Sequence, residues 1–400
     1  MPRPTPPMLA TLMLFASLPC SNANAAETRA PDTGSDISAW YAALETAEMR
    51  AGAYDDALTE PLLGLATALQ ARGKHREALA MFKRGAHLTR INDGLYSSRQ
   101  IPLLRGEIAS LVASGDYARA DDRQRYLYRV QLRRGERGER LAEAFMEQAE
   151  WQYQAYRLRL ENEGFERLIS MADFYRAALR DVEQHEGDNS PGLLRPLQGL
   201  LQAQYLITQY DLRTLAQAPV EDIRARQNFY RFAAYQNQSY TTGHSIIQAM
   251  HDIGMQGQDA EQRALNSART LTMLGDWHLW NDQWQSAELA YGQAWTELAG
   301  LDDAQEQSSA LFGMPVALPD IYGLEPLPPE AEGRPETVQL AFGVSERGRT
   351  RNLRRLDEND ELDGRAFRLM RTLRTTRFRP RLEAGQPAET QQIVKAFDLQ

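Results

Sequence analysis

Hydrophobic and polar positions follow two different periods along this 400-residue chain. From residue 26 to residue 313, apolar residues recur every three or four positions, which predicts helices almost throughout. After residue 337, apolar residues alternate with polar or small ones, which predicts a strand that buries one face. The apolar members of this alternation are Val338, Leu340, Phe342 and Val344. The pattern therefore predicts a mainly α protein that ends in a small α+β domain at residues 337–400.

The same reasoning predicts the other elements of this C-terminal segment. A second strand is predicted at residues 350–356, after a turn in which Gly348 is free to take a positive φ. A helix follows Asp357-Glu358-Asn359-Asp360, because apolar residues recur there at helical spacing. Pro380 can neither continue this helix nor donate to a ladder. Alternation at residues 391–399 predicts a last strand, which gives the order β-β-α-β.

The order of these parts and their turn residues resembles the C-terminal domain of TonB-family energy transducers. The segments that carry the resemblance are Phe342 to Arg349, Leu362 to Ala366, Arg377-Phe378-Arg379-Pro380 and Gly385-Gln386-Pro387. The resemblance covers residues 337–399. It implies a sheet whose last strand pairs with an extended segment of an outer-membrane receptor. In such strand addition, the backbone groups of an unpaired edge supply the affinity.

The resemblance makes the last strand the candidate partner-binding site. Its residues are Gln391, Gln392, Ile393, Val394, Lys395, Ala396 and Phe397. Alternation directs the side chains of Ile393, Phe397 and Leu399 toward the core helix, so the strand backbone would carry the recognition. Two features depart from the family pattern. Residues 326–335 supply no Tyr-Pro helical lead-in, and the N-terminus is predicted to be cleavable.

The helical part contains an irregular internal repeat. A turn signature of Gly-x-aromatic or His-x-x-Ala appears at Gly52, Gly73 and Gly115. The fullest unit surrounds Gly275, where a missing side chain lets two helices approach closely, with Tyr291 on the inner face of the second helix. These spacings resemble tetratricopeptide repeats, which are stacked helix pairs of about 34 residues. The resemblance implies a degenerate helical-repeat solenoid over residues 26–313, with a surface for binding protein segments.

A proline-rich segment at residues 314–336 separates the two parts and contains six prolines. Each proline lacks a backbone donor, so the segment is predicted to be a linker or an extended, partly polyproline segment. Its length gives the terminal domain some reach, though much less than the long proline-rich span of a full TonB protein.

Charge is divided unevenly between the two parts. Residues 337–400 contain thirteen Lys or Arg against nine Asp or Glu, a net charge of +4. Residues 26–336 contain 31 basic and 45 acidic residues, a net charge of −14. We interpret the C-terminal arginines as solvated faces of a small domain. The alternative is docking of this domain on the acidic body or on an anionic partner surface. Nucleic acid is not expected as a partner.

The first residues predict export from the cytoplasm. An apolar run from Met8 to Leu18 follows Arg3 and precedes Ala23-Asn24-Ala25, a small-x-small cleavage pattern. Removal of residues 1–25 predicts a periplasmic protein. If this segment stays, it anchors the chain in the inner membrane facing the periplasm, and only then is membrane contact expected. Cys20 is the only cysteine, so the mature chain would have no disulfide and no thiolate metal site.

No motif indicates catalysis, a cofactor or a metal. The sequence contains no Gly-rich phosphate loop, no Gly-x-Ser-x-Gly elbow and no His-Glu-x-x-His. His244 and His251 could share a helix face with Asp252 nearby, but no third ligand on a facing element is identifiable. We therefore expect a non-catalytic periplasmic adaptor that holds one protein partner on each domain. The alternatives are an inner-membrane-anchored TonB-family transducer for outer-membrane transport, and an envelope enzyme acting on glycan or peptidoglycan.

Overall fold

The computed structural model of the protein describes residues 37–133, 139–160, 164–211, 223–257, 259–331 and 337–398. The predicted export segment at residues 1–25 and Leu399 of the last strand lie outside the described residues. In the described part, the chain is mainly helical and has a small sheet region near its C-terminus. The predicted mainly α class with a C-terminal sheet is thereby confirmed.

Residues 37–312 form the helical part, which we call the body. Its helices are α1 (Ile37–Ala51), α2 (Thr59–Ala71), α3 (His75–Asp93), α4 (Gln100–Ala113), α5 (Tyr117–Arg133), α6 (Glu139–Arg157), α7 (Gly164–Glu186), α8 (Leu194–Gln209), α9 (Ile223–Gly254), α10 (Ala260–Trp280), α11 (Trp284–Ala299) and α12 (Ala304–Phe312). Each of these helices packs chiefly on helices next to it in the chain. The body is therefore built from contacts between sequence neighbours.

Helices α10 and α11 approach closely at Gly275, as the sequence predicts. A Cβ atom placed on Gly275 would lie 2.3 Å from Cε1 of Tyr291, so the tyrosine ring fills the space of the missing side chain. Gly199 of α8 and Tyr175 of α7 have the same relationship, with 2.2 Å between such a Cβ and the ring Cζ. The three glycines of the turn signature have positive φ: Gly52 at 87°, Gly73 at 72° and Gly115 at 74°.

Strands occur at the C-terminal end of the described chain. They are β1 (Val316–Ala317), β2 (Thr337–Val344), β3 (Thr350–Arg355), β4 (Phe378–Arg379), β5 (Arg381–Glu383), β6 (Gln386–Ala388) and β7 (Thr390–Asp398). Strands β3, β2 and β7 form an antiparallel sheet in that order. Helix α13 (Asp363–Thr375) shares a buried core with this sheet through Leu369, Leu373 and Phe342. We call residues 337–398 the terminal domain, and its main strands and helix lie where the sequence pattern predicts them.

The proline-rich segment pairs with the terminal domain and packs on the body. Its strand β1 pairs with β4 of the terminal domain, and the N–H of Leu318 donates to the carbonyl of Arg377 at 2.8 Å. The side chain of Leu318 is buried among residues of the body, including Leu279 and Phe312. Prolines restrict this segment but leave Val316 to Leu318 able to pair and pack. The segment therefore holds the terminal domain against the body.

Candidate functional site

The last strand, β7, lies at an edge of the three-stranded sheet. Ile393 and Phe397 bury their side chains in the core of the terminal domain, as alternation predicts. Gln391, Gln392 and Val394 are exposed, whereas Lys395 and Ala396 are half-buried. Val394 keeps 56 % of its surface exposed. An approaching partner would therefore meet the backbone of β7 together with a few exposed side chains.

The backbone of Ala396 points away from β2, toward the outer edge of the sheet. Gln339 lies opposite Ala396, yet it uses both of its backbone groups on the side of β3. Its N–H donates to Asp357 Oδ2 at 2.8 Å, and its carbonyl accepts from the N–H of Leu356 at 2.9 Å. Since backbone direction alternates along a strand, the N–H and C=O of Val394 also point to the outer edge.

The C-terminal end of this outer edge already pairs with residues 329–331 of the same chain. The N–H of Asp398 donates to the carbonyl of Pro329 at 3.0 Å, and the N–H of Ala331 donates to the carbonyl of Ala396 at 2.9 Å. This contact is an antiparallel bridge. Strand addition over residues 391–397 would require an edge that is unpaired along its whole length. The C-terminal end of this edge is already paired.

A side-chain contact supports this pairing. Lys395 Nζ lies 2.5 Å from Glu330 Oε1 in an ion pair. Farther along β7, the N–H of Ala396 and both backbone groups of Val394 face the same edge. The described parts of the chain supply no partner for these three groups. Among the described residues, the edge thus has a paired end and an end without a backbone partner, which we call the open end.

A buried ion pair docks the terminal domain on the body. Arg379 of β4 donates from Nε to Asp276 Oδ1 at 3.0 Å and from Nη2 to Asp276 Oδ2 at 2.6 Å. Its Nη2 also donates to Asp320 Oδ2 at 2.7 Å, and its Nη1 donates to the carbonyl of Leu311 at 3.2 Å. Asp276 accepts a further hydrogen bond of 2.8 Å from the hydroxyl of Tyr291. Each charged group is therefore well supplied with partners.

A second, more exposed ion pair lies beside the first. Arg377 donates from Nη1 and Nη2 to the two carboxylate oxygens of Asp282 at 2.6 and 2.7 Å. Arg349 donates to the same carboxylate at 3.2 Å. Our interpretation of the terminal arginines as solvated faces is therefore wrong for Arg377 and Arg379, whereas Arg349 stays exposed beside Asp282. These three side chains hold a basic domain on an acidic body.

Burial and ion pairing shift the pKa values of these groups in opposite directions. Burial raises the pKa of the Asp276 carboxyl group, and the attraction of Arg379 opposes that shift. Burial alone would lower the pKa of Arg379, but Asp276 and Asp320 outweigh it, so this pKa is raised and the guanidinium stays charged. At Asp282, hydrogen bonds from Arg377 hold the pKa of the carboxyl group below its usual value.

A groove in the body runs along helices α4, α6 and α8. One cavity of about 480 Å³ is lined by Arg105, Trp151 and neighbouring residues, and a second of about 910 Å³ lies between α6, α8 and the proline-rich segment. The two cavities share Glu150 and Gln154, so they form a continuous surface. In the second cavity, the hydroxyl of Tyr153 donates to a carbonyl of the proline-rich segment at 2.9 Å. The chain itself thus occupies part of this groove.

The candidate metal ligands make other contacts. His251 Nδ1 lies 2.9 Å from Oγ1 of Thr270, and the rings of His244 and His278 have centroids 5.7 Å apart. Within the described ranges, no group of three or more His, Cys, Asp or Glu side chains is placed to hold a metal ion. The helices of those ranges are also too short or too polar to cross a membrane.

Comparisons with known proteins leave the family open. No protein-family model matches the chain, and no curated protein matches it. A crystal structure of BtubC (BKLC) from P. vanneervenii is similar over 74 % of this chain and 95 % of that chain. The sequence identity is 14 % and the TM-score is 0.40, a level that carries no conclusion about fold or function.

Sequence reasoning did not identify the aspartates of the docking site. Asp276 and Asp282 lie on or just after α10, among many acidic residues that would solvate a helical face equally well. Their partners were visible as the segment Arg377-Phe378-Arg379-Pro380, together with the opposite net charges of the two parts. The charge contrast was the available signal, but it does not specify which side chains meet.

Proposed function

We propose that the protein is a non-catalytic adaptor of the bacterial cell envelope that acts in the periplasm. Its body is a tetratricopeptide-like helical-repeat array, and its terminal domain is TonB-like. The outer edge of β7 carries this proposal, because residues 329–331 already pair with it through an antiparallel bridge of two backbone hydrogen bonds. An edge that accepts one extended segment has the geometry to accept another.

The occupied edge defines what a partner must supply. A partner segment can begin at the open backbone groups of Val394 and Ala396, and it can extend over Asp398 only by displacing residues 329–331. Backbone hydrogen bonds would give affinity, while the exposed side chains of Gln392 and Val394 would select the partner. The groove along α4 and α6 offers a second protein-binding surface, beside the part that the proline-rich segment occupies.

Site-specific photo-crosslinking in living cells tests this function. A photoreactive amino acid at Gln392 should form adducts with an envelope protein, and the same residue at Leu289 is the control. Leu289 lies on α11 of the body and is 65 % exposed, so it has solvent access without the edge. Adducts at both positions with the same proteins would contradict strand addition at β7.

A proline at the edge then separates backbone recognition from side-chain contact. Val394→Pro removes an N–H that points to the outer edge, so the sheet keeps its β2–β7 hydrogen bonds. Val394→Thr changes the side chain and keeps the N–H. Loss of the Gln392 adduct with proline and its retention with threonine is the expected result.

The intact mass of the exported protein tests the proposed periplasmic location. A chain that begins at Ala26 is incompatible with an N-terminal membrane anchor.

A further inference from the structure

Helix α13 presents a basic surface away from the core of the terminal domain. Its inward residues, Ala366, Leu369 and Leu373, are buried against the sheet. At 100° per residue, the opposite side of the helix carries exposed side chains that include Phe367, Arg368, Arg371, Arg374 and Thr375. We call Phe367 and the three arginines the arginine face.

The arginine face differs from the arginines that bind aspartates in its lack of acidic partners among the described residues. Arg349, Arg377 and Arg379 bind aspartates of the body, and Arg355 binds Asp357. The three arginines of the arginine face form no ion pair with any described residue. Like charges three residues apart on a helix repel one another. Positive charge is therefore concentrated here, and no ion pair with a described residue neutralises it.

The neighbouring strand β3 carries two more exposed arginines, Arg351 and Arg354, but they project from the other face of the sheet. Arg354 lies opposite Ala341 and next to Leu353, which packs in the core under α13. Arg351 follows Thr350, whose hydroxyl donates to α13. The arginine face itself therefore carries three arginines that have no ion-pair partner among the described residues, on a chain whose overall net charge is −9. Such a local positive field attracts anions.

The exposed ring of Phe367 indicates which class of anion the arginine face would bind. Phe367 is 65 % exposed at the N-terminal end of the arginine face, where water surrounds an apolar group. Arginines around an exposed aromatic ring are typical of helices that lie on lipid surfaces, because headgroups take the charge and the ring enters the acyl boundary. A soluble small anion would leave the ring in water.

We propose that the arginine face binds the anionic headgroups of a lipid membrane. The terminal domain then faces the membrane, and the acidic body points away from it. This contact brings the chain to a membrane even when residues 1–25 have been removed, and it does not depend on strand addition at β7.

Partitioning of the purified full-length protein onto lipid vesicles tests the proposal. Vesicles of neutral phosphatidylcholine and vesicles with added anionic phosphatidylglycerol are compared at low salt, and the neutral vesicles report any binding through the N-terminal apolar run. We expect the anionic vesicles to bind more protein. The Arg368→Gln, Arg371→Gln, Arg374→Gln variant should lose about a hundredfold in this added binding, from about fivefold per charge. Phe367→Ser should lose about fivefold.

The control variant carries the same change in charge on the body. Arg72→Gln, Arg76→Gln and Arg90→Gln replace exposed arginines that have no ion pair among the described residues, and binding should be unchanged. Circular dichroism melts confirm that both variants fold. Equal losses in the two variants, or equal binding to the two kinds of vesicle, would overturn the proposal.

A lysine variant separates a lipid surface from an acidic protein. Arg368→Lys, Arg371→Lys and Arg374→Lys keep the charge but lose the planar fork that binds carboxylates in a bidentate manner. Vesicle binding should stay within about threefold of the parent, because attraction to a charged surface depends on charge. A loss as large as that of the glutamine variant would reject the lipid surface and indicate recognition of carboxylates on a protein.

Discussion

Arg379 and Asp276 form a bidentate, fully buried ion pair although 103 residues separate them in the chain. One belongs to the terminal domain and the other to helix α10 of the body. Buried ion pairs are weak evidence of net stability, because desolvation offsets most of the attraction. Removing one member is nevertheless costly, since it leaves the other charge buried without a partner. The pair therefore makes docking of the two parts specific.

Asp276→Ala should destabilise the docked protein by about 3–5 kcal/mol. The guanidinium of Arg379 would remain buried with only Asp320 and a carbonyl as partners. Urea unfolding, followed by circular dichroism, measures the change. Asp320→Ala is the matched control, because Asp320 keeps 49 % of its side chain exposed and its removal should cost about 1 kcal/mol or less. Equal losses for the two variants would contradict this assignment.

The double variant Asp276→Ala, Arg379→Met tests the same pair from the other direction. Without a buried charge, the penalty of an unpaired guanidinium disappears, so the double variant should be more stable than Asp276→Ala alone. Unfolding of the two variants under the same conditions measures this coupling. Additive losses would show that the two side chains act independently.

Acid should remove the contribution of Asp282. Its pKa is held below the usual value of 3.8 by Arg377, so its stabilisation is complete above that value and is lost as the pH falls through the lowered one. Asp282 is 67 % exposed, so the contribution is about 1 kcal/mol or less. The stability difference between the parent and Asp282→Asn should be full at about pH 6 and should shrink as the pH falls below the usual carboxyl pKa. A stability difference between the two proteins that grows in acid would contradict this prediction.

Gly275→Ala should destabilise the protein by about 2 kcal/mol, because its Cβ overlaps the buried ring of Tyr291. Gly292→Ala on helix α11 is the control, since a Cβ there meets nothing within 4 Å. That variant should gain about 0.5–1 kcal/mol from the better helix propensity of alanine. Thermal melts of both variants give the comparison, and a stabilising Gly275→Ala would show that the helices do not approach as closely as described.

Hydrogen exchange should show the two ends of the β7 edge. The N–H groups of Asp398 and Ala331 are hydrogen-bonded and should exchange slowly, whereas the N–H of Val394 should exchange quickly. Residue-resolved exchange of the free protein measures these rates. Equal protection of Val394 and its neighbour Ile393, which faces β2, would mean that the edge is fully covered.

The strands and helices were predictable because their periods are local properties of the sequence. Alternation from Val338 to Val344 places one strand, and the spacing of Ala366 and Leu373 places α13. The covered edge of β7 was not predictable, because Pro329 argues against pairing. Proline lacks only the N–H, however, and the carbonyl of Pro329 accepts from Asp398. The pairing of Arg379 with Asp276 depends on tertiary docking, which no local pattern encodes.

Residues 329–331 compete with any outside strand from a position where they cannot diffuse away. A tethered segment of this kind acts at an effective concentration on the order of millimolar. A short peptide in solution must exceed that concentration to take its place over Asp398, so isolated peptides will underestimate the affinity of a natural partner. A partner that also holds the groove of the body is tethered in the same way. Only a ligand that binds both the groove and the edge of β7 competes with the internal segment at a comparable effective concentration.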